Sequence, residues 1–319
     1  MNADPALRHL TSLADLRPAE TRALLDLAVQ LKQDWLRDRV PLTDLKGRAL
    51  AMVFTKPSLR TRVSFELAMQ QLGGQSLSLS PAEVGLGHRE SVADVARVLG
   101  RYVDLIMARV FAHQDIVTLA AHAGVPVING LSDLEHPCQA LADLLTVQEA
   151  YGRLEGLHLA YVGDGNNVAH ALLLGGAQCG MRISVIHPPG YAPEAGVLRR
   201  AQAIAADTGG AAQATVDLAA LNGADVLYTD VWASMGQEEE AEGRKAVFRP
   251  YRLDERLLAL AAPSAIVLHC LPAHRGEEIT DGVIDGPQSR VFHQAENRLH
   301  AQKALLAWLS GRPLAIPAA

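Results

Sequence analysis

The sequence predicts an α/β protein with two doubly wound parallel-sheet domains and an active site in the cleft between them. Apolar β-like runs alternate with segments of helical period along most of the 319 residues, as in parallel sheets covered by helices on both faces. A chain of this length can form two domains of roughly 150 residues each. Polar clusters follow the apolar runs in both halves, and doubly wound sheets bind ligands at the carboxyl ends of their strands.

The first predicted domain, residues 1–150, has four strands with helices between them. The strands are Ala49–Phe54, Ser76–Leu79, Asp104–Ala108 and Pro126–Ile128. Ser91 and Asp94 predict a capping box, which begins a helix with apolar residues at helical spacing from Val92 to Val103. A long helix from about Pro137 to Ala150 ends the domain, because Gly152 is a typical stop signal.

The second predicted domain, residues 151–294, restarts the alternation with four strands. They are Leu157–Val162, Ile183–Ile186, Val226–Thr229 and Ile266–His269. Each is almost continuously apolar, which is typical of strands buried on both faces. A last helix, at about residues 295–310, is expected to pack back on the first domain.

Charge and composition exclude several classes of protein. The net charge of −6 argues against general polyanion binding, so we expect no nucleic-acid partner and look to local arginines for anion affinity. The apolar runs are shorter than the roughly 20 residues of a membrane span, and the start lacks a signal peptide, so we expect a cytoplasmic protein without a membrane partner. Cys138, Cys179 and Cys270 are odd in number and far apart, which predicts reduced thiols and no structural metal.

The segment Ser58–Arg62 predicts a site for a phosphate-like anion. It brings hydroxyls, backbone N–H groups and two guanidiniums to the start of a helix that ends near Gly73. Simple capping by Ser58 or Thr61 is the alternative. Capping alone does not require Arg60 and Arg62 in the first turn, where cations oppose the helix dipole, whereas an anionic ligand offsets that conflict.

Other polar clusters follow strands or begin helices, and catalytic groups gather on such loops. The full set is Ser58–Arg62, Arg109, His136–Gln139, Asp164–Asn167, Asp230–Gly236 and His269–Pro272. His136 and Gln139 are three residues apart, so both can point a hydrogen-bond donor at one carbonyl oxygen. The alternatives are a structural histidine, a surface charge at Arg109 and a small buried hydrophobe at Cys270.

The cluster Asp164–Asn167 raises the question of a dinucleotide site. Gly163–Val168 lacks the second and third glycines of the G-x-G-x-x-G fingerprint, and no acidic residue ends the next strand. NAD binding is therefore disfavoured. Asn167 and Asp230 instead offer an amide for a carboxylate and a carboxylate for an ammonium, which together complement an amino acid.

Five motifs carry a resemblance to a known family. Ser58–Glu66 resembles the carbamoyl phosphate loop of aspartate and ornithine carbamoyltransferases, and His136–Asp143 resembles their second signature. Asp230–Gly236 and His269–Pro272 resemble the ornithine-binding motifs of the family, and Ala295–Arg298 matches as well. The resemblance covers nearly the whole chain.

The resemblance implies transfer of a carbamoyl group from carbamoyl phosphate to the δ-amine of L-ornithine, without a cofactor or metal, in arginine biosynthesis. The implied carbamoyl phosphate-binding residues are Ser58, Leu59, Arg60, Thr61, Arg109, His136, Gln139, Cys270, Leu271 and Arg298. The implied ornithine-binding residues are Asn167, Asp230, Ser234 and Met235. Arg60, His136, Cys270 and Asp230 are the implied catalytic residues. The first domain would bind carbamoyl phosphate and the second ornithine.

The resemblance also implies a homotrimer, or an assembly of trimers, in which the loop of residues 81–90 reaches a neighbouring site. Two positions depart from the family pattern: Leu59 stands where many relatives have Thr, and Gly85 where they have Gln. We expect His88 or Arg89 to replace the missing contacts.

Three alternatives remain at this stage. The amine could be putrescine, N-acetylornithine or aspartate, and the chain could be a non-catalytic relative that keeps the fold. A nicotinamide-dependent oxidoreductase rests on fold analogy alone.

Overall fold

The computed structural model describes residues 7–87, 89–233 and 241–316. The chain divides into two compact units, the first formed by residues 1–142 with 297–319 and the second by residues 143–296. Helix α6 (Pro137–Tyr151) carries the chain from the first unit to the second, and helix α12 (Val291–Leu309) carries it back.

The first unit alternates strands and helices. Besides parts of α6 and α12, its elements are α1 Pro18–Asp38, β1 Ala49–Phe54, α2 Leu59–Gln71, β2 Gln75–Leu79, α3 Pro81–Val84, α4 Val92–Tyr102, β3 Leu105–Arg109, α5 His113–Ala123 and β4 Val127–Leu131. Ser91 caps α4 by accepting a hydrogen bond from Asp94 N–H at 3.1 Å. The reverse half of the predicted capping box differs, because the Asp94 carboxylate accepts from the Ser91 hydroxyl at 2.8 Å.

The four strands of the first unit form a parallel sheet in the order β2-β1-β3-β4. The direction of the connections reverses between β1 and β3, so the carboxyl ends of these two strands form the ligand position of a doubly wound sheet. Phe54 lies opposite Arg109 in their register. The residues that follow β1 and the end of β3 are therefore neighbours.

The second unit repeats this plan. Its elements are β5 His158–Val162, α7 Asn167–Gln178, β6 Arg182–Ile186, α8 Ala195–Thr208, β7 Ala211–Thr215, β8 Val226–Thr229, α9 Ala241–Phe248, α10 Glu255–Leu258, β9 Ile266–His269 and α11 Asp281–Ile284. Its parallel sheet has the order β7-β6-β5-β8-β9. The order reverses between β5 and β8, where Val162 lies opposite Thr229. Gly163–Asn167 and Asp230 follow these two strand ends.

The prediction of an α/β protein with two parallel-sheet domains is confirmed. The bounds of β1, β8 and β9 are those predicted. The cleft between the domains stays a prediction.

The other predicted strands differ from the observed ones by one to three residues at an end, and two elements differ further. Strand β7 was missed, because its sequence of mostly small residues has low strand propensity and it lies at the sheet edge, where one side needs no partner. Helix α12 begins at Val291 rather than near Ala295, since Val291 is already buried in the core of the second unit.

Each unit has its own apolar core. In the first unit, β1 and β3 pack against α4 and α5, and in the second, β5, β8 and β9 pack against the helices and turns that follow them. Across the described ranges, the structure contains no helix with the length and apolar character needed to cross a membrane.

Candidate active site

The first cluster of polar residues lies at the start of α2. Ser58 is the N-cap, with extended backbone, and its hydroxyl accepts from Thr61 N–H at 3.4 Å and donates to Thr61 Oγ1 at 3.0 Å. The loop after β1 therefore turns into the helix with its first backbone N–H groups at the carboxyl end of the sheet. This arrangement suits an anion, because the helix N-terminus combines orphan donors with the positive end of the dipole.

Arg298 joins three motifs that are far apart in the sequence. Its Nη1 donates to Gln139 Oε1 at 2.6 Å and its Nη2 donates to Thr61 Oγ1 at 3.1 Å. All three side chains are buried. The guanidinium of α12 is thereby fixed beside both the start of α2 and the first turn of α6.

His136 is a buried, neutral imidazole in cationic surroundings. Burial, and then the positive charges of Arg298 and Arg109, hold the pKa of His136 well below its usual range. Within the described part of the chain, its Nδ1 has no hydrogen-bond partner. A neutral imidazole can donate one hydrogen bond without adding charge, which suits a carbonyl oxygen beside a phosphate.

The other predicted residues of the anion loop differ in position. Arg60 is half-buried in the first turn of α2, whereas Arg62 is exposed and pairs with Glu66 at 2.9 Å. Arg62 thus forms a surface ion pair at i, i+4 spacing. The Leu59 side chain is 76% exposed, so its backbone N–H is the group that it can offer to an anion.

Asp230 is the centre of the second cluster, which lies in the second unit. It is buried, its Oδ2 accepts from Asn166 Nδ2 at 3.0 Å, and its Oδ1 accepts from its neighbour's backbone, Val231 N–H, at 2.8 Å. The thiol of Cys270 donates to the same Oδ1 at 2.9 Å. The carboxylate is therefore held in one orientation at the carboxyl end of β8.

The Cys270 thiol is a weak acid in this setting. Burial, and then the negative charge of Asp230, raise the pKa of Cys270 well above its ordinary value. The sulfur therefore carries its proton near neutral pH. Its S–H group donates a hydrogen bond directly to the Asp230 carboxylate.

The loop after Cys270 has an unusual backbone. Leu271 has a φ of 57° and precedes a cis peptide bond to Pro272. A left-handed conformation is uncommon for a leucine and is found where the surroundings enforce it, often at functional sites. His269 supports this turn, since its Nδ1 accepts from Leu271 N–H at 2.9 Å and its Nε2 lies 3.0 Å from Glu278.

Two residues to which the sequence analysis gave no individual role shape the second cluster. Asn166, one position before the predicted Asn167, caps α7 and holds Asp230. A helix-start signal in the sequence could have identified it. Arg244 is buried and pairs with Asp164 at 2.7 Å, a contact across 80 residues that no local pattern indicates. Asn167 is the first residue of α7 and is half-buried.

Three predicted residues lie outside the described residues. They are His88, Ser234 and Met235. Arg89 is exposed, and Gly85 has a φ of 55° at the end of α3. A Cβ at Gly85 would lie 2.7 Å from Arg89 Cβ, so the glycine is required by this turn.

One group of potential metal ligands comes together among the described residues. His274, Glu277 and Glu278 have ligand atoms within 4.8 Å of one another. Glu278 is engaged by His269, and Glu277 pairs with Lys245 at 3.1 Å. These contacts engage one oxygen of each carboxylate, and we assign no metal to the group.

The chain is similar to known carbamoyltransferases over both units. The family model "Aspartate/ornithine carbamoyltransferase, carbamoyl-P binding domain" matches residues 8–149, and the model of the "Asp/Orn binding domain" of the same family matches residues 155–309. An ornithine carbamoyltransferase of Parafrankia sp. is 57% identical over 304 residues, which cover 95% of this chain and 96% of that protein.

Solved structures agree in fold. The ornithine carbamoyltransferase from Pyrococcus furiosus is 52% identical, with a TM-score of 0.91 over 94% of this chain and 96% of that one. A solved N-acetyl-L-ornithine transcarbamylase is 35% identical, with a TM-score of 0.85 over 95% of this chain and 100% of that one. The fold is thus shared by enzymes that are named for different amines.

Proposed function

The chain belongs to the aspartate/ornithine carbamoyltransferase family, and on this basis we propose that it carbamoylates the δ-amine of L-ornithine. The donor is carbamoyl phosphate, and the products are L-citrulline and phosphate. One observation carries the proposal from the geometry: Arg298 is fixed between Thr61 and Gln139, so that three separate motifs meet at the anion loop.

The first cluster holds carbamoyl phosphate. Backbone N–H groups of the loop at Ser58–Thr61 bind the phosphate, and Arg60, Arg109 and Arg298 neutralise its charge. Neutralising the phosphate also improves it as a leaving group. Three cations around one dianion explain why this anion site exists in a chain with a net charge of −6.

His136 and Gln139 act on the carbonyl oxygen of the carbamoyl group. This oxygen gains negative charge as the amine attacks, and donors that are already in place stabilise it without reorganising. The lowered pKa of His136 supports this role, because the neutral ring keeps one N–H for the oxygen across the physiological range. Losing one such donor typically costs roughly 10²–10³-fold in kcat.

The second cluster holds ornithine. Asp230 pairs with the α-ammonium, and Asn167, Ser234 and Met235 complete the site. An alkylamine has a pKa of about 10.4, so only a small fraction of free ornithine carries a nucleophilic δ-amine near neutral pH. The site must therefore select that form or remove a proton.

Cys270 takes part in that proton transfer. Because its thiol is protonated at rest, it acts as a relay: the sulfur accepts a proton from the amine while its own proton moves to Asp230. The departing phosphate is a second acceptor for the same proton. The loop at Cys270 and Leu271 presents its backbone to both substrates.

We propose a homotrimer, or an assembly of trimers, as the active form. Helix α2 supports this, since Leu59, Val63 and Leu67 form an exposed apolar stripe at i, i+4 and i+8 spacing, with exposures of 76%, 42% and 40%. Such a stripe beside the anion loop suits contact with a second copy of the chain. The segment of residues 81–90 then reaches the neighbouring site.

Arg89 compensates for the departures at Leu59 and Gly85. Gly85 cannot simply be replaced by the longer residue of its relatives, because its turn requires a positive φ. An exposed guanidinium four residues further on can supply the missing phosphate contact. The setting we propose is cytoplasmic arginine biosynthesis, which agrees with three free cysteines in a reducing compartment.

The identity of the amine that is carbamoylated distinguishes this proposal from its alternatives. Purified protein is incubated with carbamoyl phosphate and, separately, with ornithine, N-acetylornithine, putrescine and aspartate, and the carbamoylated products are measured by mass spectrometry. We expect citrulline at a rate at least tenfold above every other product, because Asp230 pairs with a free α-ammonium. Faster carbamoylation of N-acetylornithine or putrescine would overturn the assignment, and no product with any amine would indicate a non-catalytic relative.

A further inference from the structure

Three loops at the carboxyl ends of strands in the second unit meet at the guanidinium of Arg244. The loops follow β5, β6 and β8, and they contribute Asp164, Tyr191 and Trp232. Arg244 Nη1 donates to Asp164 Oδ2 at 2.7 Å and to the backbone oxygen of Trp232 at 3.0 Å. The guanidinium carbon lies 5.0 Å from the centroid of the Tyr191 ring. One side chain of α9 therefore connects three loops that are far apart in the sequence.

The Arg244 contacts are buried, and the surrounding loops support them. The side chains of Arg244 and Asp164 are 8% and 14% exposed. Tyr191 packs edge to face against Phe248 of α9, with ring centroids 4.6 Å apart. The backbone oxygen of Tyr191 accepts from Gly165 N–H at 2.9 Å. A Cβ at Gly165 would lie 2.2 Å from a backbone nitrogen of the Tyr191 loop, so the absence of a side chain permits this approach.

The two residues that Arg244 connects lie close in sequence to the groups that hold the second cluster together. Asp164 is two residues before Asn166, and Trp232 is two residues after Asp230. Asn166 Nδ2 donates to Asp230 Oδ2 at 3.0 Å, and Asn166 Oδ1 accepts from two backbone N–H groups in the first turn of α7 at 2.9 and 3.2 Å. Arg244 thus joins the loops after β5 and β8 a second time, which fixes the distance between them.

The positive charge of Arg244 also compensates the carboxylates of these loops. Burial raises the pKa of Asp164, and the negative charge of Asp230 raises it as well, whereas the hydrogen bond and the charge of Arg244 lower it. Removing one partner of a buried ion pair leaves an uncompensated charge, which is strongly unfavourable. Loss of the guanidinium should therefore displace the loop that carries Asp164.

We propose that Arg244 is a positioning residue that sets the distance between Asp230 and the start of α7. The proposal rests on the proposed binding of ornithine at Asp230. In that function Asp230 pairs with the α-ammonium, and Asn167, the first residue of α7, binds the α-carboxylate. Both groups are attached to the same carbon of the substrate, so a small displacement of either loop prevents the two contacts from forming together.

The test is Arg244→Met, with Lys245→Met as the matched control. Methionine keeps an unbranched apolar side chain and removes the guanidinium. Lys245 is the next residue of α9 and is 40% exposed, where it pairs with Glu242 and Glu277, so the control removes a cation from a surface ion pair of the same helix. The readouts are kcat, the KM for each substrate, and hydrogen–deuterium exchange of the backbone amides in the first turn of α7.

In Arg244→Met we expect KM for ornithine to rise about tenfold, because one charged contact with the substrate is no longer aligned. KM for carbamoyl phosphate should stay near the native value, and the α7 amides should exchange faster. Lys245→Met should match the native protein in every readout. A native KM for ornithine in Arg244→Met, an equal rise in KM for carbamoyl phosphate, or unchanged exchange in α7 would overturn the proposal.

Two milder variants keep the test decisive if Arg244→Met does not fold. Tyr191→Leu removes the ring beside the guanidinium, and Asp164→Asn keeps the shape of the carboxylate without its charge. Each should raise KM for ornithine about threefold or more, and native values in both would overturn the proposal. If the native protein does not carbamoylate ornithine, the proposed function fails, whereas exchange in α7 still decides whether Arg244 fixes the start of that helix.

Discussion

The two polar clusters, one in each unit, have opposite electrostatic character. The cluster of the first unit is built from donors: Arg109 and Arg298 accompany an imidazole whose pKa is lowered by burial and by these two guanidiniums. The cluster of the second unit is built around an acceptor, since Asp230 collects hydrogen bonds from Asn166, Cys270 and its own neighbour.

This difference shows how one plan of parallel strands serves two substrates. In both units the cluster follows the pair of strands where the sheet order reverses. The first cluster draws its guanidinium from distant α12, whereas the second fixes its carboxylate with the cap of the adjacent α7. With the function we propose, the same topological position would bind an anion in one unit and an ammonium in the other, according to the side chains that the loops and distant helices supply.

The largest expected effect is at the first cluster. Arg60→Met should lower kcat roughly 10²–10³-fold, because a cation beside the leaving phosphate is lost. Arg62→Met is the matched control in the same helix turn, since Arg62 pairs with Glu66 on the surface, and it should stay within a few-fold of native. Steady-state kinetics of both variants decide this, and equal losses would contradict the assignment of Arg60.

A substitution in the second cluster should change the kinetics with ornithine and not those with carbamoyl phosphate. Asp230→Asn removes the partner of the α-ammonium and the acceptor of the Cys270 proton, so kcat/KM for ornithine should fall roughly 10²-fold. KM for carbamoyl phosphate should change little. Initial rates with each substrate varied in turn measure both values. A rise in KM for carbamoyl phosphate of similar size would show that the two clusters do not divide the substrates.

The cationic character of the first unit also predicts that the protein loses stability at acid pH. Burial, and then Lys303 and other cations, lower the pKa of His300 to about 3. The unfolded state binds a proton below about pH 6.5 that the folded state does not, so stability is lost as pH falls, by about 2 kcal/mol at pH 5. The difference between the urea midpoints at pH 7.5 and 5 should be smaller in His300→Gln than in the native protein. An equal pH dependence in native protein and variant would refute this.

The smallest expected effect concerns the turn after α3. Gly85→Ala should cost about 1 kcal/mol, because a side chain at its positive φ is strained and approaches Arg89. Gly196→Ala, in α8 with open space around its Cβ position, should be neutral or stabilising. Thermal unfolding of the two variants tests this pair. Equal midpoints would show that the turn is not under the constraint described.

The sequence predicted those features that are local. Strands β1, β8 and β9 are apolar runs between polar residues, so their bounds were readable, whereas the alanine-rich edge strand β7 was not. The Arg62–Glu66 ion pair is also local, because its i, i+4 spacing is visible in the sequence. Asp230 was predicted from the sequence as a site residue, and its hydrogen-bond partner Asn166 lies one position before the predicted Asn167.

Long-range contacts could not be derived from local patterns. Arg298 meets Gln139 and Thr61 across 159 and 237 residues, and only the family resemblance drew attention to it. Arg244 carries no local signal, since a buried ion pair is recognised only when its partner is in place.

The central claim is that the cationic cluster binds the phosphate of carbamoyl phosphate and the Asp230 cluster does not. Calorimetric titration of inorganic phosphate into native protein, Arg60→Met and Asp230→Asn tests it without requiring turnover. We predict that Arg60→Met weakens phosphate binding at least tenfold and that Asp230→Asn binds phosphate as the native protein does. Native affinity in Arg60→Met, or loss of phosphate binding in Asp230→Asn, would contradict the account.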